Sequence, residues 1–142
     1  MSSLYNRDFN LWIQKTVSNL KNKDMGVIDW ENLIDEIEGM GKSDRRALRS
    51  YLERLIEHLL KLKYWDAERD RCKRGWKIEI LEFRSRIERI LDDSPSLKNY
   101  LTEIYPKAHR LAVARMSILF DLPNEASISE AFALSDNFSD KF

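Results

Sequence analysis

A chain of 142 residues, 43% hydrophobic and 34% charged, has the size and composition of a globular domain with a buried core. Its 24 basic and 24 acidic residues cancel, which excludes a bulk electrostatic case for nucleic-acid or membrane binding. One cysteine, Cys72, excludes an intramolecular disulfide, and four glycines with three prolines leave little room for the turns of a many-stranded fold. A reducing, cytoplasmic setting is expected from the cysteine usage. No basic-then-apolar secretory pattern opens the chain, and no apolar run approaches the length of a membrane span.

The first helix is expected from about Asp8 to Lys21. Tyr5, Phe9, Trp12, Ile13, Val17 and Leu20 recur at three- and four-residue steps, the period of one helix face. Asp8 offers an N-cap, and Lys21 and Lys23 suit the negative pole of a helix end. The second helix starts at Asp29 and carries the stripe Trp30, Leu33, Ile34, Ile37, Met40. Gly39 and Gly41 are expected to end it, because glycine takes the left-handed backbone of a helix terminus. A third helix follows from an N-cap at Ser43 to Lys63, with the longest clean stripe of the chain: Leu48, Tyr51, Leu52, Leu55, Ile56, Leu59 and Leu60. An acidic arm, a glycine break and a basic arm read together as an antiparallel helical hairpin.

Residues 64–75 show no amphipathic period and read as a loop. A fourth helix is expected from Trp76 to Leu91, with Ile80, Phe83, Ile87 and Ile90 inward. Ser94 followed by Pro95 is a helix start signal. The fifth helix then carries Leu97, Tyr100, Leu101, Ile104, Ala108, Leu111, Ile118 and Leu119 on one face. Pro106 lies inside this pattern and predicts a kink, since its ring removes one backbone bond while the stripe continues in phase. Ser127 and Glu130 resemble a capping box before a short last helix. The fold class is therefore all-α: one domain over 1–142, a bundle of about five principal helices plus a short C-terminal one. The second and third helices form its hairpin, and a tail over about 135–142 is expected to fray.

Charge is distributed unevenly. Residues 29–44 hold six acids and one base, a balance of −5, while residues 45–77 hold eleven bases and five acids, a balance of +6. Four candidate sites follow from this and from the chemistry-bearing residues. The first is an interaction surface in which Glu36 and Glu38 of the acidic arm face Arg45, Arg46 and Arg49 of the basic arm, any unpaired charge being left to steer a partner. The second is a basic-aromatic stretch over 61–77, with Arg69, Arg71, Lys73, Arg74 and Trp76 as nucleic-acid contacts: cations neutralise phosphates and aromatic rings stack on unpaired bases. Asp66, Glu68 and Asp70 dilute that field, and the aromatics can equally cover a core. The third is a carboxylate set, Glu31, Asp35 and Glu38, on one helix face. Facing helices of bundles can hold metals with such groups, yet neither His58 nor His109 has the Glu three residues earlier that a di-iron site needs. Solvated surface acids are the ordinary reading. The fourth is His58 at the flank of the leucine stripe, which reads as a partly buried, hydrogen-bonded imidazole rather than a base; Cys72, whose neighbours Arg71, Lys73 and Arg74 favour thiolate but for which no general base or oxyanion site can be named, reads as an exposed incidental thiol.

The order of these pieces resembles a bacterial family, numerous in cyanobacteria, known as domain of unknown function family 29. The matching residues begin with Leu4, Tyr5, Asp8, Phe9 and Trp12. They continue with Asp29, Asn32, Leu33, Glu36, Ile37, Glu38, Met40 and Gly41, then Arg46, Leu48, His58, Leu59, Leu60 and Lys61. Trp76, Arg84 and Ser94-Pro95-Ser96-Leu97 complete the set. Members tend to have a Gln-Pro step where this chain has Trp65-Asp66-Ala67-Glu68-Arg69, and often Glu where it has Asp35. The resemblance implies a compact all-α fold. It implies no activity and no site residues.

The functional expectation is a small cytoplasmic protein-interaction or regulatory module without catalysis or cofactor, acting on another protein or as a homo-oligomer, with no membrane partner. The alternatives are nucleic-acid binding through 61–77 and a metal-dependent nucleotide-processing enzyme using the second-helix carboxylates.

Overall fold

Side-chain caps fix where the first helices start. In the computed structural model, which describes residues 3–135, Ser3 caps α1 (Leu4–Arg7) and Asp8 caps α2 (Phe9–Lys21). The Asp8 carboxylate accepts from the Leu11 N–H at 3.0 Å, as its position before the apolar stripe predicts. α2 ends in a Schellman turn: the Lys23 N–H donates to the Leu20 carbonyl at 3.0 Å and the Asp24 N–H to the Asn19 carbonyl at 2.9 Å. This turn sets Lys23 at φ 58°, in the left-handed region. A single 3-10 turn, Met25–Val27, leads to Asp29. Asp29 opens the next helix by accepting from the Asn32 backbone at 3.4 Å and from the Asn32 amide at 2.6 Å.

That helix, α3, runs unbroken from Trp30 to Tyr64. The expected hairpin of a second and third helix is thus corrected to one 35-residue helix. Glycine ends a helix by adopting positive φ, and no glycine of the described chain does so. Gly39 and Gly41 stay helical, Ser43 is an interior residue rather than a cap, and the apolar step Leu33, Ile37, Met40 keeps helical spacing across them. The cost is about 0.5–1 kcal/mol per glycine relative to alanine.

The expected loop at 64–75 is also corrected: α4 spans Asp66–Asp93, and only Trp65 interrupts the helical backbone. The stretch lacks an apolar period because ion pairs, not a stripe, support its first turns. Asp66 pairs with Arg69 at 2.5 Å and Glu68 with Arg71, each three residues apart on one helix face. Asp66 and Glu68 also sit at the positive pole of the helix. Arg69 turns back and donates to the carbonyls of Leu62 and Lys63, both at 2.7 Å, satisfying acceptors that the end of α3 leaves open.

α5 covers Leu97–Leu119 and continues through Pro106. Pro106 is exposed, so water can serve the carbonyl one turn back that its ring leaves without a donor. The entry differs slightly from the expected cap: Ser94 and Pro95 contribute carbonyls to the Leu97 and Lys98 N–H groups, at 2.9 and 3.1 Å. The last helix, α6 (Glu130–Ala133), is capped by Ser129 rather than Ser127, the hydroxyl accepting from the Phe132 N–H at 3.2 Å. The expected frayed tail lies, from residue 136 on, outside the described residues. Among the described residues there is no strand; the fold is all-α, with α2 to α5 as its long helices.

The chain divides into two compact units, Met1–Ser43 and Asp44–Phe142, with the division falling inside α3. The second unit holds the main core. Leu48, Leu52, Leu55, Ile56, Leu59, Leu60 and Leu62 of α3 are fully buried against Trp76, Ile80 and Ile87 of α4 and Leu101, Tyr105, Ala108, Ala112 and Met116 of α5. Ala126, Ile128 and Ala133 close the cluster from the segment that follows α5. In the first unit the described buried residues are Trp12, Thr16 and Ile28.

Candidate interaction surface

The first unit is organised around aromatic packing. Tyr5 meets Phe9 and Trp12 edge-on at centroid distances of 5.6 and 4.9 Å, and Phe9 stacks on Trp12 at 5.8 Å. The Tyr5 hydroxyl donates to the Glu36 carboxylate and so ties α1 to α3. That hydrogen bond, with help from desolvation and the charge of Glu36, holds the Tyr5 phenol above its ordinary value. The Trp30 indole N–H donates to the Met25 carbonyl at 3.2 Å and fixes the start of α3 against the 3-10 turn.

With Trp12 and Thr16 turned inward, the neighbouring positions of the α2 stripe have nothing to cover them. Phe9, Ile13 and Val17 are 45%, 40% and 42% exposed, and across the groove Ile37 and Met40 are 59% and 68% exposed. Together with Leu20, Leu33 and Glu36 they line a cleft of about 420 Å³ between α2 and the first turns of α3. Trp30 and Ile34 extend the apolar face along α3. Of the fifteen exposed large apolar side chains among the described residues, ten belong to this first unit. Scattered exposed apolar residues are ordinary, but a contiguous face of this kind marks a contact surface.

The charged interaction surface expected from the sequence takes a different form. Glu36 and Glu38 precede Arg45, Arg46 and Arg49 by seven residues or more on one helix, beyond the three- or four-residue reach of pairs on a helix face. Glu36 is engaged by Tyr5; Glu38, Arg45 and Arg46 are exposed; Arg49 is half-buried beside Glu53, Lys107 and Arg110. A charge contact between helices of the second unit was not signalled by spacing: Arg115 of α5 lies 3.3 Å from Glu53 and 3.2 Å from the buried Glu57 of α3.

The basic-aromatic candidates separate. Trp76 is 9% exposed and stacks on Trp65 at 5.8 Å, and Trp65 lies flat on Phe120 at 4.7 Å, so this indole is core rather than a platform for a base. Arg69 is occupied with the end of α3, and Arg71 is paired with Glu68. Lys73 is half-buried and Arg74 exposed on α4. The carboxylates Glu31, Asp35 and Glu38 are all exposed, and no cluster of three or more His, Cys, Asp or Glu placed to hold a metal occurs among the described residues.

His58 has the environment expected of it. Its Nδ1–H donates to the Arg54 carbonyl at 2.8 Å, its ring lies 5.5 Å from Phe83, and burial pushes its pKa below the ordinary value. Cys72 is half-buried with its sulfur 3.7 Å from the Glu68 carboxylate, rather than fully exposed.

Sequence reasoning missed the polar anchors of the segment after α5. Tyr105 donates to the Ile128 carbonyl at 2.5 Å, and His109 Nε2 accepts from the Ile128 N–H at 3.0 Å. The Tyr64 hydroxyl bridges the Ser127 N–H and carbonyl at 3.2 and 3.3 Å. Arg84, 3% exposed, donates to the Ala133 carbonyl through Nε at 3.2 Å and Nη2 at 2.7 Å. Each joins residues at least nineteen positions apart, and no local pattern announces such a bond.

No curated protein and no solved structure matches the chain. Residues 4–139 match the family described as "Domain of unknown function DUF29", and the chain belongs to that family. No helix of the described residues is long and apolar enough to cross a membrane.

Proposed function

From this membership, which assigns no activity, we propose that the chain is a cytoplasmic protein-interaction module without catalysis, and that its working surface is the apolar groove between α2 and the start of α3. One observation carries this reading: large apolar side chains are concentrated, exposed and contiguous, on a unit that buries little of its own. Water gains about 25 cal/mol for each Å² of apolar surface that a partner removes from it, so such a face favours association. The charges around it set orientation and encounter rate more than affinity.

The test compares the tagged full-length chain with its Val17→Asp/Ile37→Asp variant in lysate of the source organism. The expected result is a protein, a further copy of the chain included, held by the parent and lost from the variant. Equal retention by both, or retention by neither, defeats the reading.

A further inference from the structure

We infer that the cleft between α3 and α5 is a binding site for a small ligand carrying a diphosphate or triphosphate group. The cleft belongs to the second unit alone, and the inference does not rest on the interaction reading above.

The cleft is built from cations. Arg49 and Glu53 of α3 and Lys107, Arg110, Leu111 and Ala114 of α5 line a space of about 610 Å³. Small-molecule sites typically enclose roughly 300–1,000 Å³. Leu48 and Leu52 of α3 and Ala108 and Ala112 of α5, neighbours of these residues in sequence, are buried in one cluster. The walls are therefore packed helices, which hold side chains more firmly than loops do. Glu53 is the acid of the lining, and it is already taken: its carboxylate lies 3.3 Å from Arg115 Nη1. Among the described residues, Arg49, Lys107 and Arg110 form no ion pair, whereas Arg54, Arg71, Arg86 and Arg115 each have a carboxylate beside them. Glu103, one turn before Lys107, is exposed and forms no ion pair either. Lys107 and Arg110 lie three residues apart on one helix face, where like charges destabilise each other. An anion set between them and Arg49 turns that repulsion into attraction.

Linked phosphates suit this set better than carboxylates. A guanidinium presents a planar fork that matches the oxygens of either group, and an ammonium adds a compact point charge. A carboxylate brings a single negative charge, whereas a terminal phosphate brings about −1.5 to −2. A diphosphate or triphosphate thus concentrates enough charge for three cations within one small cleft. An acidic peptide would spread the same charge over several residues and ask for a longer row. Leu111, 39% exposed, and the exposed Ala114 add an apolar edge for the uncharged part of such a ligand. The zero net charge of the chain excludes a bulk attraction and not a local one, because a cleft focuses the field of the cations that line it.

The experiment is isothermal titration calorimetry on the purified full chain at low salt, with sodium tripolyphosphate as the probe and far-UV circular dichroism on every variant. The parent is expected to bind tripolyphosphate, and to bind it more weakly as salt rises. Lys107→Gln/Arg110→Gln, at two exposed positions, is expected to weaken binding by about tenfold or more. Glu53→Gln, which removes the acid of the lining, is expected to tighten it severalfold. Lys73→Gln/Arg74→Gln, on α4, is expected to leave it unchanged. A measurement on the parent alone stands even if a variant fails to fold. Acetylation of Lys107 by an N-hydroxysuccinimide ester, read by mass spectrometry, should slow severalfold with tripolyphosphate present, while that of the exposed Lys98 should not. A parent that binds no tripolyphosphate overturns the inference, as does binding indifferent to Lys107→Gln/Arg110→Gln or a Lys107 that is not protected. An oligo-glutamate peptide held as tightly as tripolyphosphate overturns the phosphate assignment. A single-stranded oligonucleotide held more tightly overturns the small ligand.

Discussion

Lys23 adopts a backbone conformation that its own side chain disfavours. At φ 58° it occupies the position of the Schellman turn where glycine is usual, and its Cβ crowds the following carbonyl. Lys23→Gly is expected to stabilise the chain by about 1 kcal/mol, read as a higher urea midpoint with unchanged slope. A lower midpoint would mean that the lysine side chain contributes more than the backbone loses. His109 makes a second prediction at this scale. Its Nε2 accepts from the Ile128 N–H, which requires a neutral ring, and burial lowers its pKa, as it does that of His58. The unfolded chain therefore takes up protons first as pH falls past 6.5, the ordinary value. The stability contributed by the neutral rings is complete above that pH and is lost as pH falls on toward the lowered folded values. Unfolding free energy should be flat near pH 7 and decline just below 6.5, and His58→Gln/His109→Gln should flatten the decline in that window.

At the scale of elements, α3 separates what local chemistry announces from what it leaves open. Asp8 and Asp29 were legible as caps because a carboxylate one step before an apolar stripe has few other uses. The stripe from Leu48 to Leu60 was legible for the same kind of reason, and all of it but Tyr51 is fully buried. Gly39 and Gly41 were misleading: glycine permits a helix end without enforcing one, and the outcome depends on φ, which composition does not state. Residues 66–75 were misread because their support is i,i+3 ion pairing, which leaves no apolar period to count. The groove was half legible. Periodicity identified Phe9, Ile13 and Val17 as one face, but a stripe records which side is apolar and not whether anything covers it. A Cβ at Gly39 would meet open space, so Gly39→Ala is expected to stabilise the continuous helix by about 0.5–1 kcal/mol, measured by denaturant unfolding. Destabilisation there would point instead to a turn.

At the scale of the whole molecule, the two units differ in what holds them. The second has a core of fully buried leucines and isoleucines shared by three long helices. Leu59→Ala there should cost about 2–5 kcal/mol, the range for a large apolar side chain removed from a packed interior, with the same measurement as its check. The first has aromatic packing around Trp12, two aspartate caps and one tyrosine–carboxylate bond. Regions with few buried apolar contacts open at lower free energy than core helices. Amide exchange should therefore be faster over 9–21 than over 48–62, and it should slow in the first stretch wherever its apolar face is covered.

The tryptophans are shared out evenly between the units. Trp12 and Trp30 belong to the first, and Trp65 and Trp76, stacked 5.8 Å apart, to the second. The chain thus carries its own optical labels. With Trp65 and Trp76 replaced by phenylalanine, the remaining emission comes from the first unit alone. Trp12 is 6% exposed and Trp30 is 46% exposed, so a blue shift on raising the protein concentration would come chiefly from Trp30 losing water. With Trp12 and Trp30 replaced instead, emission would follow the stacked pair and report the leucine core through the same titration.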